Sequence, residues 1–318
     1  MSKAPVVMIS FNRPDLVRLT MQNISLSYGV EDRDIFMFID GPRNESDASA
    51  QEEIFEIVSA YKTKLPRIDI IRRERNYGCR GNIVDAITYV INQYGRTIIV
   101  EDDILVSRTF LKYMDAALDF YEADKGIWCI NAYQSPFLKI PRDYPMDVYL
   151  NPVNMCWGWG TWANRWNCVD FEMSDWSERK SDEALIAKLN KAGRQIIPMI
   201  EAQVAGRLRT WDVQCTYHVV KNDLLCVEPR FQLTKNIGFL PGGEHITADN
   251  PLYSRRKYYD FMPRLERNIM LDNRIAKQWE NLCSNWSLAK RCVRKIETLA
   301  AYLRPRYMEP IVLESKRV

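Results

Sequence analysis

The sequence predicts an α/β fold completed by a C-terminal helical extension, and three observations predict it. Strand-like and helix-like patterns alternate through the first third of the 318 residues, as in βαβ units wound around a parallel sheet. The residues with chemical potential follow directly on apolar strands, where open α/β sheets collect their ligands. From residue 275 onward, Trp279, Leu282, Trp286, Ala289, Val293, Ile296, Ala300 and Leu303 step by four and three, a single-faced helical stripe.

Residues 6–11 read as the first strand and 14–27 as a helix opened by Pro14, a residue suited to a first helical turn. A strand over 35–39 ends on Asp40-Gly41-Pro42, and a helix over 47–61 and a strand over 68–71 follow. The Asn76-Tyr77-Gly78 turn leads to a helix over 81–93, and 97–100 is a short β-branched strand expected at the centre of the sheet. Asn12, Arg13, Asp40 and the run Glu101-Asp102-Asp103 should then face one crevice. After residue 125 the pattern changes to short strands, aromatic clusters and Gly-rich turns, as expected of a substrate-binding half on the same sheet.

With 44 basic and 41 acidic residues, the net charge of +3 gives no footprint for nucleic acid. Residues 290–318 alone carry a net of +5, so the basic character belongs to the C-terminus. The eight cysteines form no close pairs and are expected to be reduced core thiols. The chain begins without a secretory apolar segment, and no window is long and apolar enough for a membrane span, so a cytoplasmic location is expected.

Three consecutive carboxylates after a buried strand need a compensating cation unless they form a solvated turn. Mn²⁺ or Mg²⁺ suits oxygen ligands and keeps positions open for phosphates. Trp157-Gly158-Trp159-Gly160-Thr161-Trp162 offers flat indole faces for sugars and glycines that admit close backbone approach; the other reading is a tight core turn. Asp212, in Thr210-Trp211-Asp212, is a candidate general base, with Asp170, Asp175 and Glu244 as alternatives. His245, after Gly242-Gly243-Glu244, is a candidate metal ligand, whereas His218 sits among apolar neighbours and reads as structural.

In this order the motifs resemble the GT-A glycosyltransferases, in particular the group that includes N-acetylglucosaminyltransferase I and its bacterial relatives. The similarity runs over most of residues 4–250. It is carried by Ser10-Phe11-Asn12-Arg13-Pro14, the segment 100–104 with the helix expected at Phe110, Trp128-Cys129-Ile130-Asn131-Ala132 and the Gly-Trp-Gly-Thr-Trp loop. Val227-Glu228-Pro229-Arg230 and Asn236-Ile237-Gly238-Phe239 complete it.

The resemblance implies a Rossmann-like mixed central sheet flanked by helices. It implies Asp103 as the direct metal ligand, with Asp102 and Glu101 at the donor ribose and sugar. Asn12, Arg13 and Asp40 fall at the nucleotide end. Gly158, Trp159 and Gly160 lie below the donor, with Trp157 and Trp162 toward the acceptor, while Asp212 is the base and His245 closes the diphosphate site.

The expected organisation is a catalytic domain over 1–262 and a basic amphipathic helical extension over 263–318. In the extension, Lys290, Arg291, Arg294 and Lys295 beside the Trp stripe suit an anionic membrane surface on the inner face, a homodimer seam or a simple docking helix. The expected activity is a metal-dependent, inverting transfer from a nucleotide-sugar, a UDP-sugar by preference, to a glycan or lipid-linked oligosaccharide. Two rivals are a sugar-phosphate nucleotidyltransferase and a non-enzymatic carbohydrate-binding protein. The first needs a Gly-rich basic loop after strand one, where this chain has Asn12-Arg13-Pro14; the second needs no row of carboxylates at a strand end.

Overall fold

The computed structural model describes residues 3–136, 138–238 and 256–284. The first part alternates as expected: β1 (Val6–Ser10), α1 (Pro14–Ile24), β2 (Ile35–Ile39), α2 (Glu45–Ser59), β3 (Ile68–Arg72), α3 (Gly78–Tyr94) and β4 (Arg96–Glu101). It continues through β5 (Ile104–Val106), α4 (Phe110–Tyr121), β6 (Ile127–Asn131), β7 (Val148–Asn151) and β8 (Trp159–Trp162). The stretch from Ala163 to Lys221 is helical rather than strand-rich: α5 (Ala163–Trp166), α6 (Trp176–Arg179), α7 (Glu183–Ala192), α8 (Ile196–Val204) and α9 (Asp212–Lys221). Then come β9 (Leu225–Pro229), β10 (Thr234–Asn236) and α10 (Asn273–Ser284).

Eight strands form one mixed sheet in the order β3-β2-β1-β4-β8-β6-β9-β7. β1 to β4 pair in parallel, β8 runs antiparallel between β4 and β6, β9 is parallel to β6, and β7 closes the edge antiparallel. β1 and β2 are buried along their whole length, which is why their sequences read as unbroken apolar runs instead of alternating ones. One core, built on α1, α2 and α4, covers one face of the sheet; a second, built on α3, α5 and α9, covers the other. β4 lies between β1 and β8, so its carboxyl end opens at mid-sheet. β5 and β10 pair antiparallel as a separate ribbon directly beyond it.

The described part of the extension docks on the rest of the chain. Ile275 is buried with Leu138, Tyr144 and Tyr149, and Arg274 pairs with Asp143 at 2.8 Å. The Trp279 indole donates to the Ala192 carbonyl at 3.0 Å. Trp279 is therefore turned toward α7 and its neighbours, the orientation that fits the docking-helix alternative among the three. The stripe from Trp286 onward, with the cluster of Lys290 to Lys295, lies outside the described residues. No described helix is long and apolar enough to cross a membrane. The described cysteines are thiols, with Cys129, Cys215 and Cys226 buried as expected and Cys168 exposed.

Candidate active site

The carboxyl end of β4 delivers Glu101, and the turn to β5 carries Asp102 and Asp103. Packing from α1 fixes that turn, since the buried Thr20 hydroxyl donates to the Asp102 carbonyl at 2.7 Å. The Asp102 amide donates to Ile9 O at 3.0 Å, tying the turn to the end of β1. Removal from water pushes all three carboxyls up, and repulsion from neighbouring carboxylates adds to it at Glu101 and Asp102. Asp102 reaches about 7, through burial and then the charge of Asp103, and Asp103 about 6, through burial. Glu101 rises well above the usual range through burial and the charges of Asp103, Asp102 and Asp212. Arg13 opposes the rise, its guanidinium 3.8 Å from Asp103 Oδ2.

β10 lays a backbone over this turn. Ile237 N donates to Asp103 O at 2.8 Å, and Gly238 lies so close that a Cβ built on it would sit 2.0 Å from Asp103 Oδ2. Asn236 Oδ1 accepts from Gly238 N at 2.7 Å and holds the bend, and Arg13 reaches Gly238 O at 3.4 Å. Lys235 and Asn236 have weak strand propensity, so the strand is specified by its pairing with β5, which no local sequence signal reveals.

Toward the β1 and β2 ends the structure sorts the expected residues differently. Asn12 donates to Asp47 at 2.6 Å. Arg43 also binds Asp47 and stacks on Phe11, and its hydrogen bond is the main reason that Asp47 is held down at about 2. Asp47 was missed, although Asn44 three residues before it, which accepts from the Asp47 amide, is a capping signal. Asp40 is buried, and its carboxylate already accepts from the Gly41, Tyr77 and Gly78 amides at 2.8–3.0 Å and from Asn76 at 3.1 Å. It ties β2 to the start of α3, a capping role that the sequence reading did not foresee.

The tryptophan loop is also reassigned in part. Trp159 and Trp162 are 0% and 2% exposed. Trp159 is stacked between Trp128 and Trp211 at centroid distances of 5.6 and 5.5 Å, both at 15°. The Trp162 indole donates to Leu118 O at 3.2 Å. Neither ring has a face for a sugar, so donor contact through the Trp159 ring and acceptor stacking on Trp162 are corrected; β8 alternates between two covered faces, which buries both. Gly160 answers to packing, because a Cβ there would meet Met114 Cε and Thr97 O at 2.9 Å where α4 crosses the sheet. Gly158 adopts φ +83° and passes Thr234, whose Cγ2 would be 2.7 Å from a Cβ, so it too is explained by the close approach of β10. Trp157 is half-buried, edge-on to Tyr133 at 4.5 Å, and its carbonyl accepts from Thr234 at 2.7 Å.

Asp212 opens α9 and accepts a hydrogen bond from the Thr210 hydroxyl. Its charge acts on Glu101 and, together with Glu101 and Asp103, on the Cys156 thiol, which burial pushes up first. Glu101, Asp103, Asp212 and Cys156 thus lie within electrostatic reach of one another. Asp170 and Asp175 are committed elsewhere, Asp170 to Ser174 and Asp175 to Tyr217 and Lys221. The fully buried Glu228 on β9 accepts from Tyr149 and, at 2.7 Å, from Asn151, and burial pushes it up to about 7. His218 is buried on α9, and desolvation lowers it to about 4, as suits a structural imidazole.

Among the described residues no three acidic, imidazole or thiol groups gather as a ready-made metal cage. A small hard cation needs none, since phosphates and water supply part of its shell. The carboxylate oxygens of the turn are donors of the kind such an ion takes, and at Asp103 a bound ion would share the carboxylate with the Arg13 guanidinium, 3.8 Å from Oδ2. His245 and Glu244 lie outside the described residues.

The family model described as GNT-I family matches residues 1–204. No curated protein matches the chain. Among solved structures, the mannosyltransferase PcManGT from Pyrobaculum calidifontis, in complex with GDP-Man and Mn²⁺, is 12% identical over 51% of this chain and 45% of that one, with a TM-score of 0.35. TarS 1–349 of S. aureus is 14% identical over 54% and 50%, with a TM-score of 0.38. The galactosyltransferase LgtC, in complex with donor and acceptor sugar analogs, is 10% identical over 70% and 72%, with a TM-score of 0.36. The chain spans about half the length of the first two.

Proposed function

The chain belongs to the GNT-I family of glycosyltransferases, and from that membership we propose that it moves a sugar from a nucleotide-sugar to a hydroxyl of a glycan or lipid-linked glycan. The donor is read as a UDP-sugar, the stereochemistry as inverting and the activity as dependent on Mn²⁺ or Mg²⁺. One observation supports the reading: three partly buried carboxylates at the end of the central strand lie within electrostatic reach of a fourth, Asp212, on a separate helix.

Asp103 is the residue proposed to hold the cation, with Asp102 and Glu101 turned to the ribose and sugar hydroxyls. A bound divalent ion would stabilise the negative charge that grows on the departing diphosphate. Arg13 adds a fixed positive charge beside Asp103. As the acceptor oxygen bonds to the anomeric carbon, the bond from that carbon to the diphosphate oxygen breaks with its electron pair, and the nucleotide leaves. Asp212 takes the proton of the acceptor hydroxyl, oriented by the Thr210 hydroxyl that donates to it. Trp157 is the proposed apolar platform beneath the acceptor.

Asp212→Asn tests the assignment, because it keeps the shape and removes the base. Turnover should drop by about 10²–10⁴-fold with donor affinity unchanged; full turnover would refute Asp212 as base.

A further inference from the structure

We propose that Trp159 is a positioning residue for the transfer, holding Asp212 in place through the indole column Trp128–Trp159–Trp211. The inference rests on the reading of Asp212 as the base. Trp128 comes from β6, Trp159 from the neighbouring β8, and Trp211 immediately precedes Asp212. The rings are near-parallel at 15° with centroids 5.6 and 5.5 Å apart, and none is more than 3% exposed. The column therefore runs from the middle of the sheet to the residue beside the base.

The start of α9 depends on this contact because it lacks the usual one. Trp211 occupies the capping position, and no side chain caps the helix there. The Thr210 hydroxyl and the Asp212 carboxylate that it binds straddle Trp211, so a shift of that ring carries both groups. Farther along, Cys215 and Val219 anchor α9 in the same core; in its first turn Val213 packs in another core and Thr210 is bound by Gln203 and Gln214, and the column adds the contact on the Trp211 ring beside Asp212. The buried Nε1 groups of Trp128 and Trp159 have no hydrogen-bond partner among the described residues. Trp159→Phe thus shortens the stack without breaking a hydrogen bond.

Trp166 supplies the control. It leans on Trp159 at 6.0 Å and 44° and on Phe171, off the axis of the column, and its Nε1 donates to Thr88 at 2.9 Å. Trp166→Phe removes the same ring area and a hydrogen bond besides, so it should cost at least as much stability.

The test compares kcat, donor KM and thermal midpoint of Trp159→Phe, Trp166→Phe and Asp212→Asn, with nucleotide release from whichever UDP-, GDP-, CMP- or dTDP-sugar the wild type turns over as the readout. A misplaced base predicts a kcat for Trp159→Phe lowered by about ten- to a hundredfold with donor KM within about twofold, while Trp166→Phe keeps its kcat despite an equal or larger drop in midpoint. Should Trp159→Phe not fold, Trp211→Phe, which cuts the column at its last pair, carries the same prediction. Equal kcat in the two Phe variants, with Asp212→Asn inactive, overturns the positioning role alone. A fully active Asp212→Asn overturns the base and the inference with it.

Discussion

Gly238 presses on Asp103: a methyl group in place of its hydrogen would stand 2.0 Å from Oδ2 and 2.8 Å from Cγ. The atoms in conflict belong to a short side chain, so Gly238→Ala can be accommodated by turning the carboxylate away rather than by unfolding. Metal-dependent turnover should fall at least about tenfold while the thermal midpoint moves by no more than about 2–4 °C. Activity assays against Mn²⁺ concentration, with parallel melts, would check this; a large loss of stability with normal metal response would mean that the backbone yields instead.

Asp40 is expected to matter for folding and little for substrate. Its four donors lose their shared acceptor in Asp40→Ala, which should cost about 1–3 kcal/mol in urea unfolding. Donor KM should stay near the wild-type value. An unchanged stability with a raised KM would return Asp40 to the nucleotide site.

Glu228 predicts a pH dependence of opposite sign to that of a salt-bridged carboxylate. Burial raises it from 4.5 to about 7, so between those values the unfolded chain has lost its proton while the folded one keeps it. Stability from this group is full below about pH 4.5, falls as pH rises, and is lost above about pH 7, by on the order of 3 kcal/mol. Glu228→Gln should remove that slope. Unfolding free energies of wild type and variant from pH 4.5 to 8 give the difference directly, and parallel curves would show that Glu228 ionises normally.

The first half of the fold was legible because buried parallel strands have a simple signature. Val6–Ser10 and Ile35–Ile39 are apolar at nearly every position, and each is followed by a helix with a recognisable start. The place of the acidic turn followed from the rule that strand ends gather ligands. The direction of the tryptophans did not, since a run rich in Trp and Gly suits a sugar platform and a stacked core equally well. Here Trp159 finds indoles on both sides, one from a strand 31 residues earlier and one from a loop 52 residues later. The same limit hid Gly238: its proximity to Asp103 exists only once β10 pairs with β5. Asp47 was within reach through its capping partner Asn44; Glu228 entered only as part of a resemblance, because its burial and partners are tertiary facts.

The central claim is that Asp103 holds a divalent cation against a nucleotide-sugar. The direct measurement is nucleotide release from a panel of UDP-, GDP-, CMP- and dTDP-sugars with Mn²⁺ or EDTA, together with calorimetric donor binding, for wild type and Asp103→Ala. The account predicts metal-dependent binding and release with one donor class, both abolished by EDTA and in the variant. Donor binding that is equally tight with EDTA, or intact in Asp103→Ala, would contradict it.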